Sequence, residues 1–187
     1  MKKSAGVLIV GVLFILFGVW QNLSPSPTSS TEMKQGAGGS ALPVETGPQM
    51  GKLAPSFTLE TTEGTKYKVG GKQDKPIFLN FWASWCTPCQ AEAPDLVKLH
   101  AKYKDKLNLL SVNVSNYDTK EKAKEFVNDY HMVSPVLWDE KGEAYKLYNG
   151  IAFPTNILID KNGVIREFFI GLRPLKELEK AIEKVIE

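Results

Sequence analysis

Apolar and polar residues follow two periods from about residue 53 to the C-terminus. Alternating or continuous apolar runs rich in β-branched and aromatic residues predict strands, and apolar residues three or four positions apart predict helices. The predicted strands are 57–60, 65–69, 77–82, 107–114, 135–138, 155–160 and 164–169. The predicted helices are 88–104, 119–130, 143–148 and 175–186. This order predicts an α/β fold: a mixed central β-sheet with helices on both faces and an N-terminal β-hairpin extension.

One predicted strand, Ile77–Trp82, is apolar at nearly every position, which is typical of a strand buried on both faces of a sheet. Pro88 follows closely and suits the first turn of a helix. We therefore expect the chain to pass directly from a central strand into a helix. Asn162-Gly163 predicts the tight turn of the last hairpin.

The N-terminus has a membrane-targeting pattern. Lys2 and Lys3 precede an uncharged apolar run, 4–20, which is roughly 25 Å long as a helix, close to the hydrocarbon core of about 30 Å. We predict an uncleaved single-pass signal anchor in 1–23, with the remainder on the extracytoplasmic side because the lysines stay inside. A cleaved signal peptide is the alternative, but 17–22 offers no clear small-residue cleavage site.

The next segment, 24–52, is rich in Ser, Pro, Thr and Gly and has few large apolar side chains. Such a composition cannot form a core, so it predicts a flexible linker. The folded domain is predicted to span 53–187.

Composition excludes several classes of function. The 187 residues carry a formal net charge of +2 with both signs interleaved, so no basic face for nucleic acid is expected. Neither a phosphate-binding glycine loop nor a Ser-His-Asp order is present. We predict no cofactor and no resident metal.

The two cysteines of the chain form one Cys-x-x-Cys pair, Cys86 and Cys89, at the predicted junction of strand and helix. Unpaired N–H groups and the helix dipole stabilise a thiolate there. We therefore predict that Cys86 is the exposed nucleophile and that Cys89, one turn deeper and better covered, resolves the mixed disulfide. Trp85 is expected to flank this site.

Two other interpretations of the cysteine pair are weaker. Half of a zinc site would need two more ligands, and only His100 and His131 are available as histidines. A passive disulfide that closes so small a loop would stabilise the fold little.

Residues 81–89, together with Pro94, resemble the active-site segment of the thioredoxin superfamily. The segment 53–57, Glu92 and 153–155 make the chain similar to the ResA and TlpA branch of membrane-tethered bacterial thioredoxins, from about Lys52 onward. The resemblance implies a thioredoxin fold and a reductase of extracytoplasmic protein disulfides, re-reduced by a membrane electron donor of the CcdA or DsbD type. Apocytochrome c is the usual substrate, and envelope or spore assembly is the alternative.

The resemblance also implies roles for particular residues. Asn80 stands where thioredoxin has a buried aspartate, and Glu92 matches a glutamate that the branch carries in the active-site helix. Spacing alone lets Glu92 share a helix face with Cys89 and take its proton, but equally allows a solvated surface glutamate. We expect Glu92→Gln to slow release of the mixed disulfide without affecting the fold.

The proline that opens the strand 155–160 is cis in thioredoxin-like folds, whereas most X-Pro bonds are trans. The resemblance therefore implies that Pro154 is cis, faces the disulfide and leaves the backbone of Phe153 free to pair with substrate. We expect the substrate to contact a set of residues on both sides of the disulfide: Trp85, Thr87, Pro88, Phe153 and Pro154.

Two rival functions use related folds. A copper-binding chaperone would space its cysteines one residue wider and add a late histidine, and this sequence fits that pattern poorly. A thiol peroxidase would show a Pro-x-x-x-Thr-x-x pattern before its cysteine, and that pattern is absent before Cys86. An anchored protein without activity is the remaining alternative.

Overall fold

A computed structural model describes residues 45–187. The predicted membrane anchor and most of the predicted linker lie outside these described residues. Among residues 45–187, no helix has the length and apolar character needed to cross a bilayer.

The structure contains every helix and strand predicted from residue 53 onward, with each boundary within one residue of its prediction. The strands are β1 (Phe57–Glu60), β2 (Lys66–Val69), β3 (Ile77–Trp82), β4 (Asn108–Asn113), β5 (Val136–Trp138), β6 (Thr155–Ile159) and β7 (Ile165–Ile170). The helices are α1 (Thr87–Tyr103), α2 (Lys120–Asp129), α3 (Glu143–Leu147) and α4 (Leu175–Ile186). A short 3₁₀ turn, Ser115–Tyr117, was not predicted.

The central sheet has five strands in the order β5-β4-β3-β6-β7. Strand β3 pairs in parallel with β4 and antiparallel with β6, so the sheet is mixed. Strands β1 and β2 form a separate antiparallel hairpin. All six residues of β3 are buried, as the apolar run predicted.

Successive side chains of β3 point to opposite faces of the sheet and enter different parts of the core. Leu79 and Phe81 pack in a cluster with residues of α3 and of the β1–β2 hairpin. Phe78 packs instead with residues of α1 and α4. Helices therefore cover both faces, as predicted, and α1 carries the cysteine pair along one of them.

The chain joins the domain before residue 53, the predicted boundary. The amide of Gly51 donates to the carbonyl of Ile165 at 2.8 Å, and the amide of Ile165 donates to the carbonyl of Lys52 at 2.9 Å. These bonds connect backbone groups only, so they need no apolar side chains. The composition of the segment therefore gave no sign of them.

Candidate active site

The two cysteines lie at the first turn of α1, directly after the buried strand β3. Cys86 is the N-cap residue, and its sulfur accepts a hydrogen bond from the backbone N–H of Cys89 at 3.2 Å. The two residues form a disulfide with their Cα atoms 5.2 Å apart. No acidic residue occupies the first turn of α1. Once the disulfide is reduced, the helix end and this N–H group favour a thiolate on Cys86.

Burial does not separate the two cysteines as predicted. Cys86 is 4% exposed and Cys89 is 3% exposed, so the expectation of an exposed nucleophile was wrong for the disulfide-bonded state. The disulfide holds each sulfur against the other, which lowers the exposure of both. What distinguishes them is their surroundings, because Cys86 lines an open groove at the surface and Cys89 does not.

Four of the five predicted substrate-facing residues meet around this groove, and the fifth, Pro154, is buried and does not line it. Trp85, Thr87, Pro88 and Phe153 line it together with Cys86. The Phe153–Pro154 peptide bond is cis, as the resemblance implied.

No residue of the described part of the chain occupies the backbone of Phe153, as the resemblance implied. Within residues 45–187, neither its N–H nor its C=O makes a hydrogen bond. The neighbouring carbonyl of Pro154 is occupied, because it accepts from the amide of Gly171 at 2.8 Å. An extended substrate chain can therefore pair with Phe153 as with an unpaired sheet edge.

Glu92 is a buried residue of α1, only 3% exposed, which excludes the alternative of a solvated surface glutamate. Its two carboxyl oxygens accept from two amide groups: Asn80 Nδ2 donates to Oε2 at 2.9 Å, and Asn156 Nδ2 donates to Oε1 at 2.8 Å. Asn80 Nδ2 also donates to Asn156 Oδ1 at 2.8 Å. The three side chains form a closed triangle of hydrogen bonds.

Burial raises the pKa of Glu92 from 4.5 to about 7. The hydrogen bonds from Asn156 and Asn80 act in the opposite direction, because they stabilise the ionised carboxylate, and the nearby charge of Asp95 adds a smaller upward contribution. A carboxyl group with this pKa gains and loses a proton near neutral pH. Glu92 follows Cys89 by three positions on α1, so the two share a helix face.

The sequence analysis did not predict that the side-chain amides of Asn80 and Asn156 donate hydrogen bonds to Glu92. Asn80 was considered only as a missing aspartate. A signal was present, because Asn80 is the one polar residue of β3 and Asn156 is the one amide side chain of β6, and both strands are otherwise mostly apolar. The two residues are cross-strand partners in the β3–β6 pair, so their side chains meet at Glu92.

Replacing Asn156 with alanine is expected to raise the pKa of Glu92 further. The substitution removes the stronger of the two hydrogen bonds that stabilise the carboxylate, so the raising effect of burial is opposed less. The pKa is measured by NMR titration of the Glu92 side-chain carboxyl carbon. Asn128→Ala, at an exposed position of α2, is the matched control and should leave the titration unchanged. An unchanged or lower pKa in Asn156→Ala would contradict the assignment.

The histidines do not join the cysteine pair. His100 lies near the far end of α1, and His131 follows α2 at an exposed position. Within the described part of the chain, no group of three or more His, Cys, Asp or Glu residues is arranged to hold a metal ion.

Comparison with known sequences gives relatives along most of the folded domain. A sequence model of the AhpC/TSA family matches residues 50–168. The chain is 37% identical over 140 residues to the thioredoxin-like protein YneN of Bacillus subtilis, covering 74% of this chain and 82% of that protein. It is 36% identical over 138 residues to the thiol-disulfide oxidoreductase ResA of Bacillus anthracis, covering 73% of this chain and 79% of that protein.

Solved structures agree with these relatives. A putative thiol:disulfide interchange protein DsbE from Chlorobium tepidum superposes with a TM-score of 0.66 at 32% identity, covering 72% of this chain and 96% of that chain. StoA from Bacillus subtilis superposes with a TM-score of 0.61 at 29% identity, covering 68% and 96%. The predicted thioredoxin fold is thereby confirmed. The chain belongs to the AhpC/TSA family of thioredoxin-like proteins and is a thiol-disulfide oxidoreductase of the ResA and DsbE type.

Proposed function

We propose that this protein is a membrane-tethered reductase of extracytoplasmic protein disulfides, with apocytochrome c as the first candidate substrate. The observation that carries the proposal is the buried carboxyl group of Glu92, three residues after the resolving cysteine of a helix-capping dithiol. A passive disulfide has no use for a buried proton acceptor, whereas a turnover cycle needs one.

The first step forms a mixed disulfide. The thiolate of Cys86 attacks one sulfur of the substrate disulfide, forming a new S–S bond and breaking the old one. The other substrate sulfur leaves as a thiolate and takes a proton from water. The first turn of α1 stabilises the attacking thiolate, and the free backbone of Phe153 aligns the substrate chain.

The second step releases the substrate. The carboxylate of Glu92 accepts the proton of the Cys89 thiol, and the resulting thiolate attacks the sulfur of Cys86. The mixed disulfide breaks, the second substrate sulfur leaves as a thiolate and takes the proton that Glu92 accepted, and Cys86 and Cys89 form the disulfide seen in the structure. Two electrons have passed from protein to substrate. A membrane dithiol donor of the CcdA or DsbD type returns two electrons and two protons.

The N-terminal pattern supports the location and the direction of the reaction. Lys2 and Lys3 followed by the apolar run 4–20 predict an anchor that leaves the catalytic domain outside. A dithiol can reduce or oxidise its partner according to relative potentials. A tether that keeps the domain near a membrane electron donor favours reduction.

Cells that express the full chain with Cys89→Ser are expected to accumulate a mixed disulfide between Cys86 and the natural substrate, because no resolving thiol remains. Non-reducing electrophoresis and mass spectrometry identify what is attached. If the trapped protein is apocytochrome c, the first candidate substrate is supported. If it is an envelope or spore-assembly protein, that protein is the substrate instead. Absence of any specific adduct would contradict a dedicated reductase. The double variant Cys86→Ser, Cys89→Ser is the control for non-covalent carry-over.

The same variant tests location, because the chain has two cysteines and Cys89→Ser leaves one thiol. Intact, wall-free cells are first treated with a membrane-impermeant reductant that frees Cys86 from its mixed disulfide, and a membrane-impermeant maleimide should then label Cys86 to at least half of the level reached when both reagents are added after lysis. The labelled chain should sediment with membranes. Labelling only after lysis would contradict an extracytoplasmic domain.

A further inference from the structure

The surface beside Cys86 carries an open groove of about 560 Å³. We call it the aromatic groove and define it by Trp85, Tyr117, Tyr145, Ile151 and Phe153, which line it next to Cys86. The groove therefore lies directly beside the residue that forms the mixed disulfide.

Phe153 lies at the centre of the aromatic groove. Its ring stacks on Tyr145 with centroids 4.8 Å apart and meets Trp85 and Tyr117 edge-on at 5.8 and 6.3 Å. Such tilted and offset arrangements are favourable for aromatic pairs. The rings are packed against one another, so the walls of the groove are already formed before a ligand binds.

Hydrogen bonds hold the polar ends of these rings in place. The indole Nε1 of Trp85 donates to the carbonyl of Tyr117 at 2.6 Å, and the hydroxyl of Tyr145 donates to the carbonyl of Ala152 at 3.1 Å. The indole N–H of Trp85 and the hydroxyl of Tyr145 are thus engaged within the fold, and the surface that these two rings leave open is apolar. The groove thus offers mainly apolar contact.

Two properties of the aromatic groove indicate that it binds an apolar group. Ile151 is 82% exposed and Trp85 is 58% exposed, so apolar surface is left open to solvent. Among residues 45–187, no charged side chain lines the groove. The nearest acidic neighbour in sequence, Asp118, is engaged elsewhere, because its carboxylate accepts from Ser84 Oγ and Asn113 Nδ2.

The position of the groove next to Cys86 indicates which part of a substrate binds there. In the mixed disulfide, the substrate cysteine is joined to Cys86 by a bond of about 2 Å, so the substrate chain passes over the active site. Successive residues of an extended chain advance by about 3.3 Å, so the side chains one or two residues from that cysteine come within reach of Ile151 and Phe153. The occupant is therefore the substrate segment that flanks the reacting cysteine.

We propose that the aromatic groove selects protein substrates that carry a bulky apolar or aromatic side chain one or two residues from the reacting cysteine. This inference rests on the proposed reductase function and specifies its substrate class.

The test compares symmetric disulfides of short peptides that differ only in the residue after the single cysteine: Leu, Ser or Lys. Reduced full-length protein is mixed with each peptide disulfide, and the second-order rate constant is followed by tryptophan fluorescence. Each rate is divided by the rate at which dithiothreitol reduces the same peptide, which removes intrinsic reactivity. We expect the Leu peptide to exceed the Ser peptide by about tenfold.

A charge placed in the groove should reverse this preference. Ile151→Glu is expected to bring the ratio of Leu to Ser rates close to one and to raise the rate of the Lys peptide above both, since opposite charges attract. Val133→Glu is the matched control, because Val133 is 66% exposed and does not line the aromatic groove. It should retain the preference for Leu.

Reduction of hydroxyethyl disulfide separates the two proposals. If the wild-type protein reduces this small disulfide but shows no preference among the peptides, the groove proposal is overturned and the reductase function stands. If it does not reduce the small disulfide, the reductase function itself fails. A concentration-dependent dimer that Ile151→Glu abolishes would assign the groove to a second copy of the chain and also overturn the proposal.

Discussion

Replacing Cys86 with serine is expected to lower kcat/KM for disulfide reduction by about 10³-fold or more, the scale seen when other enzymes lose their nucleophile. The thiolate is the attacking group, and a serine hydroxyl stays protonated and is a poor nucleophile toward sulfur. Serine is also a favourable N-cap residue, so it can accept the Cys89 N–H bond and preserve the start of α1. The loss of activity then reflects chemistry rather than misfolding.

Cys89→Ser is the comparison that assigns the two roles. It should also stop turnover, but it retains Cys86 and is expected to form a mixed disulfide in one step at a rate close to that of the wild type. Stopped-flow mixing with hydroxyethyl disulfide, followed by mass spectrometry, measures that step for both variants. Equal or faster formation of the mixed disulfide through Cys89 in Cys86→Ser would reverse the assignment. This measurement matters because the two residues are equally buried in the oxidised state.

The fold was predictable because its elements have unambiguous patterns. Strand β3 is apolar throughout, Pro88 suits the first turn of α1, and Asn162-Gly163 forms the turn before β7. Local preference and burial agree at each of these places, so the boundaries were accurate to one residue. The 3₁₀ turn at Ser115–Tyr117 has no such pattern, because it buries none of its residues.

The site was predictable as far as it is local in sequence. Cys86 caps α1, and Cys89 and Glu92 lie within it, so their spacing already places them close together. Burial of Glu92 was not predictable from spacing, because it depends on Asn156, which lies 64 residues away. The aromatic groove has the same origin, because Trp85 and Tyr117 contact Phe153 although they precede it by 68 and 36 residues.

Replacing Glu92 with glutamine is expected to remove a pH dependence of stability of about 3 kcal/mol. The pKa of Glu92 rises from 4.5 to about 7 on folding, and each tenfold difference in proton affinity corresponds to about 1.4 kcal/mol. Below pH 4.5 the carboxyl is protonated in both the folded and the unfolded state. Between pH 4.5 and 7 the folded state holds a proton that the unfolded state has lost, so stability falls as pH rises. Above about pH 7 the loss is complete.

Urea unfolding of the oxidised protein at pH 4, 6 and 8 measures this effect. The difference in unfolding free energy between Glu92→Gln and the wild type should shift in favour of the variant by about 3 kcal/mol from pH 4 to pH 8. Other titrating groups cancel in that difference. Glu60→Gln, at an exposed position of β1, is the matched control and should show no comparable shift.

The same substitution should slow the second chemical step, because glutamine cannot accept the proton of Cys89. In single-turnover experiments that start from the mixed disulfide, substrate release by the wild type should increase with pH through about pH 7, as Glu92 ionises. Release by Glu92→Gln should be about 100-fold slower at pH 8, the lower range of general-base effects. Formation of the mixed disulfide should be unchanged, since Glu92 acts after it. A stability shift without a kinetic effect would leave Glu92 as a buried charge with no part in the cycle, and the proton acceptor would then have to be water.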